Sequence, residues 1–289
     1  MTLRFPPSIV GPQHPDFSVL SKIGEKINEC AGGQQKLVEM LPSILKDAID
    51  FVLDPAKTGR TKLEELDKVE KTFIGLKVEH FLRDMLGLPK GKRRDLGEVG
   101  DVDVDIKNTI GTTWMIPPES YERSEPCLLI ATAKFDGRCW LGIMLAREAY
   151  LGAKNRDGKK SVTAEGKRNI FWLVEDAPYP PSRWDGINMN RFRELRKIKG
   201  GTKRAAYFFR ENLARVVHRS VVQALLHDQL DYMRRVRGDR RHIGARELLA
   251  KEGMALLCGH WDNDCEVAAQ AGFPDLAADE WVAVQLKSH

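Results

Sequence analysis

The chain has 289 residues and a net charge of +5, long enough for two ordinary domains, each with its own core. Its five cysteines, Cys30, Cys127, Cys139, Cys258 and Cys265, are odd in number and never spaced as a zinc or redox pair. That excludes a disulfide scaffold and predicts a reducing, cytoplasmic setting. The first ten residues carry no basic-then-apolar leader and no later run could span a bilayer, so a soluble protein with no membrane partner is expected.

Apolar residues at near-helical spacing, including Leu63, Leu66, Phe73, Leu76 and Leu82, predict a helix over Lys62 to Leu86. Thr61 with Glu64 three residues on would cap it, and Gly87 would end it. Glu79 lies beside the buried stripe, where it either pairs with Arg83 at i+4 or points into a site, and Gly75 one turn earlier leaves room for close backbone approach.

After a loop over Pro89 to Arg94 comes Asp101-Val102-Asp103-Val104-Asp105-Ile106-Lys107. Strict alternation reads as a half-buried strand, valines and isoleucine facing a core and the acids and Lys107 facing away. A turn at Asn108 to Gly111 follows, then Thr112 to Ile116 and a stop at Pro117-Pro118. Two apolar runs, Cys127 to Ala133 and Cys139 to Leu145, are joined by Phe135-Asp136-Gly137-Arg138 as a β-hairpin. A helix followed by several strands predicts an α/β or α+β layer domain. Residues Gly152 to Arg168 are basic and polar.

Ala177-Pro178-Tyr179-Pro180-Pro181-Ser182 reads as an extended linker because its prolines exclude regular structure. The expected division is therefore residues 1–176, a linker at 177–182, and residues 183–289. Beyond it, Asn190 to Lys199 reads as a basic helix ended by Gly200-Gly201, and Lys203 to Met233 as one long or two shorter helices. A basic cluster, a helix over Ala245 to Lys251 and short strands at Met254 to Cys258 and Trp281 to Leu286 complete a pattern that fits a winged helix-turn-helix module. Helical bundles of other kinds fit nearly as well. In His260 to Glu266, consecutive acids read as turns and caps, with Asp264 capping a helix through Ala271. Val267 to Phe273 reads either as the first half of a helix-turn-helix or as a plain helix ended by Gly272.

The positive charge is unevenly placed. Between Arg183 and Arg246 there are 17 Lys and Arg against 6 Asp and Glu, a local excess of 11, which points to a polyanion partner. Lys203, Arg204, Arg234, Arg235, Arg237, Arg240 and Arg241 are the candidate DNA-binding residues, with phosphate neutralisation the commoner role for such a cluster.

Three carboxylates along one strand face repel unless a cation sits among them, and divalent metal held by oxygen is the usual solution. In a chain with 30% charged residues an Asp-x-Lys triplet also arises by chance, as at Asp157-Gly158-Lys159 and Glu165-Gly166-Lys167, but those two lie in glycine-bearing surface sequence without strand alternation. Phosphodiester hydrolysis needs an attacking water, a cation at the phosphate and help for the leaving oxygen. Asp105 supplies a Mg²⁺ ligand and Lys107, sharing its face, a charge for the water or the phosphorane. A further acid usually comes from just upstream. Asp95 is the leading candidate, with Glu98, Asp101 and Asp103 competing.

This arrangement resembles the PD-(D/E)xK nuclease superfamily, except that Arg94 stands where a proline precedes the first acid. Over most of its length the chain looks like the NaeI type of type II restriction endonuclease. The matching residues include Lys68 to Thr72, Gly75, Val78-Glu79, Val104 to Lys107, Trp114 to Ser120 and Asn155 to Asp157. They continue with Arg215 to His218, Met233 to Gly238 and Gly259 to Asp264. The resemblance implies a restriction-endonuclease-like mixed sheet flanked by helices, plus a mainly helical, winged-helix-type C-terminal DNA-binding domain. It implies Glu79, Asp95, Asp105 and Lys107 as catalytic residues, Asp95 and Asp105 as the metal ligands, and Mg²⁺ as cofactor. Asp95 aligns only with a one-residue shift. It also implies a homodimer cutting a GC-rich, GCCGGC-like palindrome of double-stranded DNA, activated by a second DNA copy on the C-terminal domain. A catalytically silent DNA-binding regulator, or a nicking or repair endonuclease acting on modified DNA, is the alternative.

Overall fold

The computed structural model describes residues 5–133, 137–179 and 181–286. The chain divides into two compact units, one of residues 1–53 and 62–181, the other of residues 54–61 and 182–289. The short helix α3 (Pro55–Thr58) thus clusters with the second unit, where the expected division kept it in the first.

The first unit opens with α1 (Phe17–Ala31) and α2 (Gln34–Leu53), followed by α4 (Lys68–Leu86). The helix expected from Lys62 starts six residues later. Leu66 is extended, and Asp67 takes the cap by accepting from Glu70 N at 2.8 Å, while the Glu70 carboxylate accepts Asp67 N at 2.9 Å. This reciprocal pair satisfies two otherwise orphaned donors, which displaces Thr61 and Glu64 from the role. Gly87 closes the helix in the left-handed conformation as expected. Gly75 meets open space where a Cβ would project, so no backbone approaches it.

Five strands form the main sheet in the order β1 (Leu96–Val99), β2 (Val102–Thr109), β4 (Pro126–Ala133), β5 (Arg138–Leu145), β8 (Phe171–Pro178). The β2–β4 pair is parallel and the other pairs antiparallel, giving a mixed sheet. β4 and β5 pair over their full length as the expected hairpin, whose residues 134–136 lie outside the described ones. β8 runs to Pro178, into the expected linker, because Ala177 and Pro178 pair with Cys139 and Arg138. Pro180 of that linker lies outside the described residues.

Strand alternation builds two cores. Val104, Ile106, Leu128, Ile130, Leu141 and Ile143 pack beneath α1, α2 and α4. Cys127, Leu129, Trp140 and Met144 face the other way, against Trp114, Tyr121 and Ile170. This second side is covered by α5 (Pro118–Tyr121), α6 (Ala164–Arg168) and a small antiparallel sheet ordered β3 (Met115–Ile116), β7 (Lys160–Val162), β6 (Leu151–Lys154). Pro118 does not only stop a strand, since it occupies the first turn of α5, where its fixed φ and missing N–H cost nothing.

The second unit contains α3, α7 (Met189–Arg196), α8 (Gly201–Glu211), β9 (Val216–His218), α9 (Arg219–Leu225), α10 (Tyr232–Arg237), α11 (Ala245–Ala250), β10 (Met254–Cys258), α12 (Asp262–Gln270) and β11 (Glu280–Gln285). An antiparallel sheet of order β10-β11-β9 closes over a core of Phe192, Phe208, Phe209, Val217, Leu225 and Trp281. The helical stretch expected over Lys203 to Met233 is broken by β9, whose β-branched Val216 and Val217 pair with β11. Asp264 does not cap α12 but lies within it, 5% exposed, accepting from Cys258 N at 2.9 Å and from Arg246. No helix follows α12 before β11, so Gly272, with φ +95°, ends a plain helix.

Candidate active site

The β1–β2 hairpin decides which upstream acid meets Asp105. Val99 pairs with Val102, but Leu96 pairs with Val104, so the register slips by one residue between them. The slip is a bulge in which Glu98 takes a φ of 59°. Continuing the inner register from Leu96 opposite Val104 sets Asp95 opposite Asp105, and directly opposed residues of an antiparallel pair share a face. The Asp95 Oδ2 also accepts Ile106 N at 2.8 Å.

The competing acids lie elsewhere. Asp101 is 87% exposed at its side chain and pairs with Lys22, Glu98 is exposed, and Asp103 accepts Arg93 N at 2.9 Å. Of the acidic row, only Asp105 is enclosed, since β2 is an inner strand and α5 covers its far face. The half-buried strand expected from alternation is therefore covered on both sides from Val104 to Ile106.

Asp105 is 5% exposed and has two polar partners besides Asp95, namely Lys107 and Ser120. Lys107 Nζ donates to its Oδ1 at 2.6 Å, and also to Ile106 O at 3.1 Å. The fully buried Ser120 hydroxyl, presented by α5, donates to its Oδ2 at 2.6 Å. Burial raises the Asp105 carboxyl, but the Lys107 charge and the hydrogen bonds from Asp95, Lys107 and Ser120 outweigh it and hold the group below its ordinary value. Asp95 moves the opposite way. Burial, then its hydrogen bond to Asp105, push its carboxyl up to about 6 against the counter-pull of the Ile106 N–H. Their environments thus push the two carboxyls apart, Asp95 up and Asp105 down.

Glu79 reaches the same place from α4. Its carboxylate pairs with Arg83 Nη1 at 3.2 Å, and that nitrogen lies 3.4 Å from the Asp95 carbonyl oxygen. The Glu79 charge contributes to raising Asp95, and the ion pair with Arg83 is the one of its two expected roles that is present as a contact. Arg94, at the position of the missing proline, makes its hydrogen bonds away from the two aspartates. It binds the Glu125 carboxylate and the Glu119 carbonyl, tying the loop before Asp95 to the segment that carries Ser120.

Among the described residues no group of three or more His, Cys, Asp and Glu side chains converges as a ready metal cage. The donor set that does exist is a pair of hard carboxylates, Asp95 and Asp105, set side by side at the β1–β2 register slip. This fits Mg²⁺, which takes one or two carboxylates, keeps several waters and relies on substrate phosphate for the rest. Cys127, the parallel-strand partner of Asp105, is fully buried, and burial pushes its thiol far up, so it adds no soft ligand.

In the second unit the candidate DNA-binding residues separate into two kinds. Arg204 is a core residue, 1% exposed, with a bidentate pair to Asp228 at 2.8 Å and further bonds to the carbonyls of Ile198 and Leu225. Its donors are spent, which corrects its expected place on a DNA surface. Arg234 is paired with Asp239, and Arg235 donates to Gln229. Lys203, Arg237, Arg240 and Arg241 are carried on the same unit, and all four are exposed. Sequence reasoning missed Ser120. Its position in Pro117-Pro118-Glu119-Ser120 was visible, but a serine after a stop signal carries no mark of burial against a carboxylate.

No helix of the described residues is long and apolar enough to cross a membrane. The five cysteines are free. The model of the NaeI restriction endonuclease family matches residues 35–289. The type II restriction enzyme NaeI of Lentzea aerocolonigenes is 34% identical over 243 residues, covering 80% of this chain and 73% of that enzyme. With a helix-borne glutamate, two opposed aspartates and a lysine gathered on the matched segment, the chain belongs to the NaeI restriction endonuclease family.

Proposed function

We propose that this protein is a type II restriction endonuclease in which Asp95, Asp105 and Lys107, flanked by Glu79, hydrolyse DNA phosphodiester bonds with Mg²⁺ as the cofactor. The observation that carries this reading is the Asp95–Asp105 pair with Lys107 Nζ 2.6 Å from Asp105. When bound, Mg²⁺ supplies Lewis acidity that acidifies water and offsets charge on the phosphate.

The chain's own groups do the rest. Asp95 and Asp105 provide the oxygen donors. Lys107 stands on the flank of Asp105, where its ammonium orients the attacking water and stabilises developing negative charge on the phosphoryl oxygens. Ser120, donating to the Asp105 Oδ2, holds that carboxylate in place. The Arg83 guanidinium links Glu79 to the backbone carbonyl of Asp95.

Two copies of the site in a homodimer would cut the two strands of a palindrome, for which the family resemblance suggests a GCCGGC-like sequence. The second unit, with helices, a three-stranded sheet and the basic residues Lys203, Arg237, Arg240 and Arg241, supports a winged-helix-type module that holds a second, activating DNA copy. The free cysteines agree with a cytoplasmic setting, where cellular DNA is met.

Purified protein with plasmid DNA and Mg²⁺ is expected to give discrete fragments, none in EDTA, and none from Asp105→Ala or Lys107→Ala. Full cutting by those two variants sinks the assignment of residues, and binding without cutting in Mg²⁺ favours a silent regulator. Titrating an uncleavable duplex tests activation, since a two-site enzyme speeds up before competition slows it.

A further inference from the structure

The turn between β6 and β7 is built more rigidly than a surface connection requires. The Asn155 Oδ1 accepts the backbone N–H of both Asp157 and Lys159 at 2.9 Å. The Asn155 N–H donates to Lys159 O at 2.8 Å, Gly158 N–H donates to Asn155 O at 3.0 Å, and Gly158 takes a φ of +77° that other residues resist. The Asn155 side-chain oxygen is thereby spent on shaping the turn. Arg156, Asp157 and Lys159 project into solvent.

The turn is also wired to the acid pair. Tyr121, 2% exposed, donates its hydroxyl to Gly158 O at 2.9 Å, and Lys160 from β7 sits 4.5 Å over its ring. Its neighbour on α5 is Ser120, the residue that holds Asp105. The turn is thus one tyrosine side chain and one residue away from the scaffold of the reacting centre.

A basic turn near a phosphodiester site suits DNA, but Asp157 in its middle does not suit phosphate, which would repel it. A carboxylate and a guanidinium side by side have a different match, the edge of a G·C pair: arginine forks onto the guanine O6 and N7 acceptors and an acid accepts from cytosine N4. We propose that the β6–β7 turn reads a G·C pair of the substrate duplex in the major groove, Arg156 donating to guanine and Asp157 accepting from cytosine, with Lys159 against an adjacent phosphate. This rests on the DNA-cleavage reading above and assigns sequence recognition to the catalytic unit.

The test uses the full chain and a cognate site defined by sequencing the fragment ends of the parental digest. kcat/KM is measured on that site and on duplexes carrying each single base-pair change. Arg156→Ala and Asp157→Asn are each expected to lower cognate kcat/KM by about 10- to 100-fold and to erase discrimination at one base-pair position while keeping it at the others. Arg156→Lys keeps the charge but not the fork, and is expected to lose the same discrimination. Lys159→Ala is expected to weaken all sites evenly and to lower the salt slope by about 0.9. Equal unfolding midpoints check that the exposed changes leave the fold intact. Parental kcat/KM and discrimination in Arg156→Ala and Asp157→Asn overturn the proposal, as does a uniform loss on all sites. Asp105→Ala, run in parallel, separates the two readings: if it is silent while Arg156→Ala matches the parent, only the turn is misassigned; if it cuts, the cleavage site is.

Discussion

Asp95, one residue before β1, is set beside Asp105 by a one-residue slip in the β1–β2 register, and its Oδ2 accepts the N–H of Ile106 at 2.8 Å. Without the bulge at Glu98, Leu96 and not Asp95 would oppose Asp105, and an apolar side chain would sit where the second carboxylate is needed. That opposition governs metal-free stability, the response to pH and the part played by Ser120.

Replacing Asp95 by Asn removes like-charge repulsion from an enclosed site. In EDTA at pH 8, Asp95→Asn is expected to melt higher than the parent, by roughly 2–4 °C for each kcal/mol of repulsion relieved. In Mg²⁺ it is expected to lose at least about 100-fold in cleavage, because metal ligation supplies several kcal/mol of transition-state stabilisation. Calorimetry and a plasmid digest measure the two; a variant that melts lower in EDTA contradicts the repulsion.

The pH dependence has opposite signs for folding and for cutting. The raised Asp95 carboxyl contributes stability that is fully present below its ordinary 3.8 and is lost as pH rises through about 6. Asp105, held low, contributes stability that is present above 3.8 and is lost as pH falls through its depressed folded value. Metal-free protein is therefore expected to lose stability as pH rises through about 6, and Asp95→Asn to lose less. Mg²⁺ affinity and cleavage are expected to rise over the same interval, since the proton on Asp95 competes with the cation. Melting curves in EDTA and initial rates across that interval check both limbs.

Ser120→Ala removes a buried donor to a carboxylate, an interaction worth about 1.5–3 kcal/mol. The expected result is a kcat reduced by about tenfold or more, an acid limb moved to higher pH because Asp105 loses a stabilising hydrogen bond, and recovery in Ser120→Thr. A drop in melting temperature with an unmoved pH profile would make the serine a packing residue only.

Arg204 and the exposed arginines are expected to fail differently. Arg204→Ala leaves the Ile198 and Leu225 carbonyls without a donor and opens a hole in the second core. It should destabilise by about 2–3 kcal/mol, from buried carbonyls left unpaired and a cavity in the core, since Asp228 itself is half exposed. The double change Arg240→Ala and Arg241→Ala should leave stability within about 0.5 kcal/mol of the parent and flatten the salt dependence of DNA binding by about 0.9 for each phosphate no longer neutralised. Filter binding across salt concentrations, beside thermal melts, separates the two.

The mixed architecture was legible because its signals are local. Alternation in Cys127 to Ala133 and Cys139 to Leu145, the helical stripe through Leu82 and the stop at Gly87 each report a period or a cap that neighbouring residues set. The start of α4 was misplaced because Thr61 and Asp67 both offer an N-cap, and the competition is decided by the reciprocal bond with Glu70. β9 was hidden because three residues between two helices carry too short a pattern, and it exists only by pairing with β11, far along the chain.

For the site, the sequence by itself determined the chemistry: an acidic strand, a lysine two residues beyond Asp105 on the same face, a helix-borne glutamate and an uneven positive charge. Only the tertiary structure decided the partners. It set Asp95, and not Glu98, Asp101 or Asp103, next to Asp105 through a bulge, buried Ser120 against Asp105, and withdrew Arg204 from the surface. The physical reason is that residue type and spacing fix which groups can react or bind and which face they share, whereas a register slip, a cross-strand partner and the enclosure of a charge depend on segments distant in the chain and cooperative in their packing.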